Sequence, residues 1–234
     1  MKRIVTVILV AILIVSSTLL LVACNGGVKS EQDWNDAMDR LKNCESLTIN
    51  FNREESANAR LNKTYDNWTL AYDKTKGALY VTQDYKTLDL FGNVKEQTYK
   101  NHYVEVVDVE VKNYIKNGKG ILPAEWETTS NSYGSNDEAI EQLRQVLLSY
   151  LDQFRLSNFN YADFNLKLGK YEKSEVVNNK NTTWKLTFSD GKLSSASYET
   201  KHLKNSSDVD YEKINITLSY SAEITPPNGL SEVN

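Results

Sequence analysis

The chain has 234 residues, 40% hydrophobic and 25% charged, ordinary proportions for a globular protein. Its 27 Lys+Arg against 31 Asp+Glu give a net charge of -4, which leaves no basic footprint for nucleic acid. With 2 Cys and 2 His there is no material for a disulfide framework, and neither histidine has metal-ligand spacing.

Met1-Lys2-Arg3 opens with positive charge, Ile4 to Val22 carry none, and small Ala23 precedes Cys24: the layout of an export signal. A run of this length would also suit a spanning helix of roughly 20 residues. Leu21-Val22-Ala23-Cys24, however, resembles the lipobox of bacterial lipoproteins. The resemblance implies that residues 1–23 are a cleaved signal peptide and that Cys24 becomes a lipidated N-terminus. It also implies a protein held on the extracytoplasmic side of the cell membrane by that anchor. Residues 24–31 then read as a flexible tether, with adjacent Gly26 and Gly27, and residues 32–234 as a single domain.

A first helix follows, with Gln32 or Asp33 near its start and Trp34, Ala37, Met38, Leu41 and Cys44 at helical spacing on one face. Lipidation would consume Cys24, so Cys44 has no partner within the chain. Core packing is its expected role, because an activated thiol wants a basic or histidine neighbour. From Ser46 the period changes to two: Leu47, Ile49 and Phe51 alternate with Thr48, Asn50 and Asn52. Alternation returns in Trp68-x-Leu70-x-Tyr72, in Leu79-x-Val81 and over Tyr103 to Val111. Gly77, Gly92-Asn93 and Gly118-Lys119-Gly120 stand between these runs as turns. The connections are too short for parallel crossovers, so the pattern predicts an antiparallel meander.

Ser135 and Glu138 have the spacing of a reciprocal capping box. The second helix they open presents Ile140, Leu143, Leu147, Tyr150, Leu151 and Phe154 on one face. After an Asn- and Tyr-rich connection, Trp184-x-Leu186-x-Phe188 leads into Asp190-Gly191, a type I′ hairpin signal. The closing strand carries Ile214, Ile216, Leu218, Tyr220, Ala222 and Ile224 on one face. Asp208, Asp210 and Glu212 share that parity, so pairing is expected to begin near Glu212 or a bulge to reverse the faces there. The acidic triplet lacks the features of a calcium loop and reads as a solvated strand edge.

The fold class is therefore α+β, an antiparallel sheet packed on two main helices. This order behind a lipobox resembles the LolA/LppX-like half-barrel lipoproteins of bacteria, which implies that the sheet is curved. The particular local pieces are Trp184-Lys185-Leu186-Thr187-Phe188, Asp190-Gly191-Lys192-Leu193, and the Ile214 to Ile224 strand with Pro226-Pro227. The resemblance implies an apolar space between sheet and helices that accepts lipid. Leu70, Tyr72, Leu79, Val81, Trp184, Leu186, Phe188, Ile216, Leu218 and Tyr220 are the inner-face candidates for that ligand, with plain core packing as the alternative for each.

No nucleophile elbow, phosphate loop or metal cluster appears, so no catalytic residue and no cofactor is assigned. The expected function is a non-enzymatic, membrane-anchored carrier of a hydrophobic ligand. The alternative is an envelope scaffold with a filled core and a Tyr- and Asn-bearing outer face for a protein or cell-wall partner.

Overall fold

The computed structural model describes residues 28–57, 62–120, 124–177, 179–202 and 211–230. The signal segment 1–23, Cys24, Asp208, Asp210 and the side chain of His202 lie outside the described residues.

Helix α1 spans Glu31–Lys42. Its N-cap is Ser30, whose hydroxyl accepts from Asp33 N while the Asp33 carboxylate accepts from Ser30 N. Acidic Glu31 and Asp33 sit in the first turn, Arg40 and Lys42 in the last, as the helix dipole favours. Gln32 and Asp33 thus lie in the first turn, near the helix start as expected. Val28 is buried, and Tyr171 donates its hydroxyl to Val28 O at 3.1 Å. Residues 28 to 31 therefore belong to the folded body, and the tether expected over 24–31 is shorter at this end.

Six strands follow: β1 Ser46–Ala57, β2 Asn62–Asp73, β3 Ala78–Leu88, β4 Val94–Val107, β5 Glu110–Lys119 and β6 Glu127–Ser132. Helix α2, Asn136–Gln153, precedes a 3-10 turn, Tyr161–Asp163. Then come β7 Asn165–Lys167, β8 Lys170–Val177, β9 Lys180–Ser189, β10 Lys192–His202 and β11 Tyr211–Ser219. All pair antiparallel in one 11-stranded sheet, ordered β6-β5-β4-β3-β2-β1-β11-β10-β9-β8-β7. The sheet is curved and unclosed.

The topology is two meanders meeting at the centre. β1 to β6 march outward to one edge, α2 carries the chain back, and β7 to β11 march inward until β11 pairs with β1. Only the connection through α2 is long, so that helix has to lie across the sheet. It packs on β3, β4 and β5, whereas α1 packs on β10 and the 3-10 turn.

Two turns fall elsewhere than the sequence pattern suggests. The alternation over Tyr103 to Val111 is broken by a reversal at Asp108, which adopts φ +57 and separates β4 from β5. Gly118 is no turn residue: it lies inside β5 opposite Tyr99, and a Cβ there would meet the Tyr99 ring at 1.9 Å. The glycine supplies the space that the aromatic ring covers. Asp190-Gly191 does form the two-residue turn, with φ +52 and +64.

Helix α2 is capped by Ser135, which accepts from Glu138 N. Glu138 reaches past the cap to Gly134 N at 2.9 Å, so the reciprocal half of the expected box is displaced by one residue. At the other end Leu156 N bonds Leu151 O and Arg155 N bonds Asp152 O. This is a Schellman motif, with Leu151 and Leu156 buried as its apolar pair. The left-handed position usually taken by glycine is Arg155, at φ +61.

The core forms where both helices meet the inner sheet face. Trp34 is its hub, with the rings of Tyr161, Phe164, Tyr171 and Phe188 at centroid distances of 5.8, 5.2, 5.0 and 5.1 Å. Leu41, Leu47, Ile49, Leu143, Leu147 and Leu151 are fully buried around it, each contributing roughly 1.5–3 kcal/mol relative to exposure.

The closing strand is shorter than the sequence alternation implies. β11 ends at Ser219, and Ala222 and Ile224 cross to the outer face. Directly paired Ala71, Tyr80, Tyr103 and Tyr114 form a row across β2 to β5. Ala222, Ile224 and Leu230 pack with that row, and Thr48 Oγ1 fixes the start of the strap on Ser221 O at 2.7 Å.

Candidate functional site

Strand register puts the ten inner-face candidates on one surface. Leu70 pairs with Val81 and Tyr72 with Leu79, while Leu186 reaches Ile216 through Ala196. Leu70, Tyr72, Leu79, Val81, Leu186, Phe188 and Ile216 are buried in the main core. Trp184, Leu218 and Tyr220 are half-buried and pack against it. Trp184 stands between Phe159 and Tyr198, with centroids at 5.1 and 4.8 Å. Tyr220 lies just beyond β11, under the Lys192 ammonium at 4.8 Å. The helices thus occupy the apolar part of the inner face.

Farther along the same strands the inner face becomes polar. Below Phe51, Trp68 and Ile214, the register brings in Arg53, Asp66 and Glu212. Arg53 Nε donates to Glu212 Oε1 at 2.7 Å and its Nη2 to Glu55 at 2.8 Å. Arg155 adds a second cation to Glu212 at 3.3 Å and lies 5.1 Å over the Tyr198 ring. Gln83 donates to Asp66 at 2.7 Å. Glu212 therefore keeps the inward parity of the apolar residues, and two arginines offset its charge. No bulge reverses the faces at this point.

His102 sits at the junction of these halves. Its Nδ1 lies 2.7 Å from the Tyr150 hydroxyl and its Nε2 3.4 Å from Asn113 Oδ1. Burial pushes the Tyr150 hydroxyl up to about 12, so it stays protonated and donates, which assigns Nδ1 as acceptor and Nε2 as donor. Burial also lowers the His102 pKa, with a nearby Lys100 adding to the effect.

Two clefts open beside the helices and a third over strands β9 to β11. One of about 360 Å³ is lined by Asn43, Cys44, Tyr72, Lys74, Ile140 and Arg144, among others. A second, about 310 Å³, holds Arg155, Phe159, Lys173 and Trp184 beside Asp152 and Asp163. A third, about 260 Å³, lies over Lys185, Tyr198, Glu199 and Lys213. The first has two unusual features: burial raises the Cys44 thiol to about 11, and the Tyr72 hydroxyl is buried with no hydrogen-bond partner among the described residues. Tyr220, an electrostatic neighbour of Cys44, shares that condition. A buried hydroxyl without a partner costs roughly 1–3 kcal/mol.

Sequence reading missed Arg53, Arg155, His102 and Tyr150 as members of one polar face. The signal for Glu212 was present in its parity; its two arginine partners are distant in the chain and left none.

No protein-family model matches the chain, and no curated protein matches it in sequence. Among solved structures, LprF from Mycobacterium bovis superposes with a TM-score of 0.34 at 12% identity, covering 86% of this chain and 97% of that one. A superposition this loose assigns neither family nor function.

Proposed function

We propose that this chain is an exported, lipid-anchored, non-enzymatic envelope protein that acts as an interaction module, its inner face filled and its outer face and clefts offered to a protein or cell-wall partner. The supporting observation is the packing of all ten inner-face candidates into, or against, the core with α1 and α2. An acyl chain would need the space those side chains hold. Beyond the strap the outer face carries Asn50, Asn67 and Tyr65, a surface suited to hydrogen-bonded, aromatic recognition. The non-enzymatic reading draws on His102 and Cys44, the groups best suited to chemistry: one is committed to Tyr150 and Asn113, the other is held as a buried neutral thiol.

A second reading, transport of a hydrophobic ligand between helices and sheet, draws on the unpartnered Tyr72 and Tyr220 hydroxyls, which a ligand's polar group would satisfy. One experiment separates the two. Cells making the full chain are fed a photoreactive fatty acid, and crosslinked peptides are mapped. The module predicts lipid only on the N-terminal peptide and none on the folded body. Crosslinks at Tyr72, Leu79 and Tyr220 would sink it in favour of the carrier.

A further inference from the structure

The β7–β8 hairpin turn has a residue that neither the turn nor the core calls for. Lys167 pairs with Lys170, leaving Leu168 and Gly169 as a two-residue loop with φ +49 and +77. Such loops favour Asn, Asp or Gly because both central residues are left-handed. Asp190-Gly191 and Asn179 in this chain obey that preference. Leu168 does not, and its side chain is fully exposed, with Leu166 beside it at 53%.

The chain's route to Cys24 leaves at the same place. Tyr171, three residues past Leu168 and directly opposite Leu166, holds Val28 by its carbonyl at 3.1 Å. Three residues, Asn25 to Gly27, separate Val28 from Cys24, so the four steps between them reach at most about 14 Å. Phe91, the exposed apolar residue of the β3–β4 turn, lies at the opposite end of the sheet, because β3 runs away from the end that carries the Asp190-Gly191 turn. An 11-residue strand separates it from that end, roughly 36 Å.

Charge fits as well. Lys167 and Lys170 flank the Leu168-Gly169 loop, Lys29 follows the Val28 that Tyr171 holds, and Lys29 and Lys170 have no ion pair among the described residues. Of the nearby carboxylates, Asp33 is occupied by the N–H groups of Lys29 and Ser30, and Glu172 lies 3.6 and 3.4 Å from Lys167 and Lys185. Glu31 remains on the helix.

We infer that the β7–β8 turn is a second membrane contact beside the lipid anchor: Leu168 and Leu166 enter the interface of an anionic bilayer, and Lys29, Lys167 and Lys170 meet its headgroups. This rests on lipidation of Cys24 as proposed above. An acyl anchor gains stable membrane residence from a second signal of this kind. The contact also fixes which way the body faces, with the β3–β4 tip directed outward.

The test uses the full lipidated chain in phosphatidylcholine–phosphatidylglycerol vesicles containing a shallow nitroxide lipid. A Leu168→Cys variant carries a small environment-sensitive dye, and Phe91→Cys is the comparison site. The dye at position 168 should be quenched at least twofold more than the dye at 91. In unlabelled protein Leu168→Asn, which suits the turn, should speed vesicle desorption at least threefold. If the N-terminal peptide carries its lipid yet the dye at 168 stays aqueous, the inference falls and the lipoprotein reading stands. An N-terminal peptide without lipid overturns both.

Discussion

Arg53 on β1, directly opposite Ile214, reaches diagonally to Glu212 on β11 across the centre of the sheet, 2.7 Å apart, at the boundary where the inner face turns from apolar to charged. Only 14% of the Glu212 side chain is exposed and it serves two arginines. Glu212→Gln should destabilise the fold by about 1–2 kcal/mol, since the pair is partly buried and its loss leaves Arg53 and Arg155 facing each other. A double-mutant cycle of Glu212→Gln with Arg53→Met, read by urea unfolding, should return a coupling of about 1 kcal/mol. Additive effects would reduce the pair to a surface contact.

Tyr72→Phe removes a buried hydroxyl that bonds to nothing among the described residues. The substitution keeps the ring and should leave stability unchanged or raise it by up to about 1 kcal/mol. Tyr220→Phe should behave alike, because the hydroxyl there is similarly placed. A loss above 1 kcal/mol in thermal unfolding would show that the hydroxyl has a partner after all.

Much of this architecture was legible because periodicity reports burial. Trp34, Ala37, Met38 and Leu41 declare one helix face, and Leu47, Ile49 and Phe51 one strand face, because burial repeats at 3.6 or 2 residues. The reading failed where a local exception overrode the period. Asp108 turns the chain inside an unbroken alternation, and Gly118 serves a ring on the neighbouring strand. Ala222 and Ile224 keep the strand period yet leave the sheet to cover a row of tyrosines on its far side. Whether the inner face binds or merely packs was never in the pattern, because an apolar parity is the same in both cases.

The strap itself can be tested. Ile224 is buried against Ala78, Tyr103 and Tyr114 on the outer face. Ile224→Asp would place a charge there, loosening the strap at a cost of about 2–3 kcal/mol if the tail stays docked. Limited proteolysis should then cut within residues 220–230 while the sheet stays intact. Unchanged protection would mean that the strap does not depend on the Ile224 side chain.

Cys44 offers a chemical readout of core integrity. Burial pushes its thiol up to about 11, so at pH 8 the native thiolate is scarce. In a Cys24→Ser variant, where Cys44 is the one thiol, the native protein should react with a water-soluble thiol reagent roughly a hundredfold more slowly than the unfolded chain. Rapid labelling without denaturant would place Cys44 on the surface and overturn its assignment to the core.

His102 predicts a pH dependence distinct from that of the carboxylates. Burial lowers its folded pKa below the unfolded value of about 6.5, so in that interval the unfolded chain binds a proton the folded chain refuses. Its contribution is complete above about pH 6.5 and is lost as pH falls through the folded pKa. Asp33, Asp89, Glu141 and Glu199 are lowered by hydrogen bonds and nearby cations, and their contributions fade only below about pH 4. His102→Gln should cost about 1 kcal/mol at pH 7 through the lost Tyr150 bond and should flatten the stability profile between pH 6.5 and 4.5. Urea midpoints across that range decide it: a variant whose midpoint falls as steeply as that of the parent would show that another group carries the acid limb.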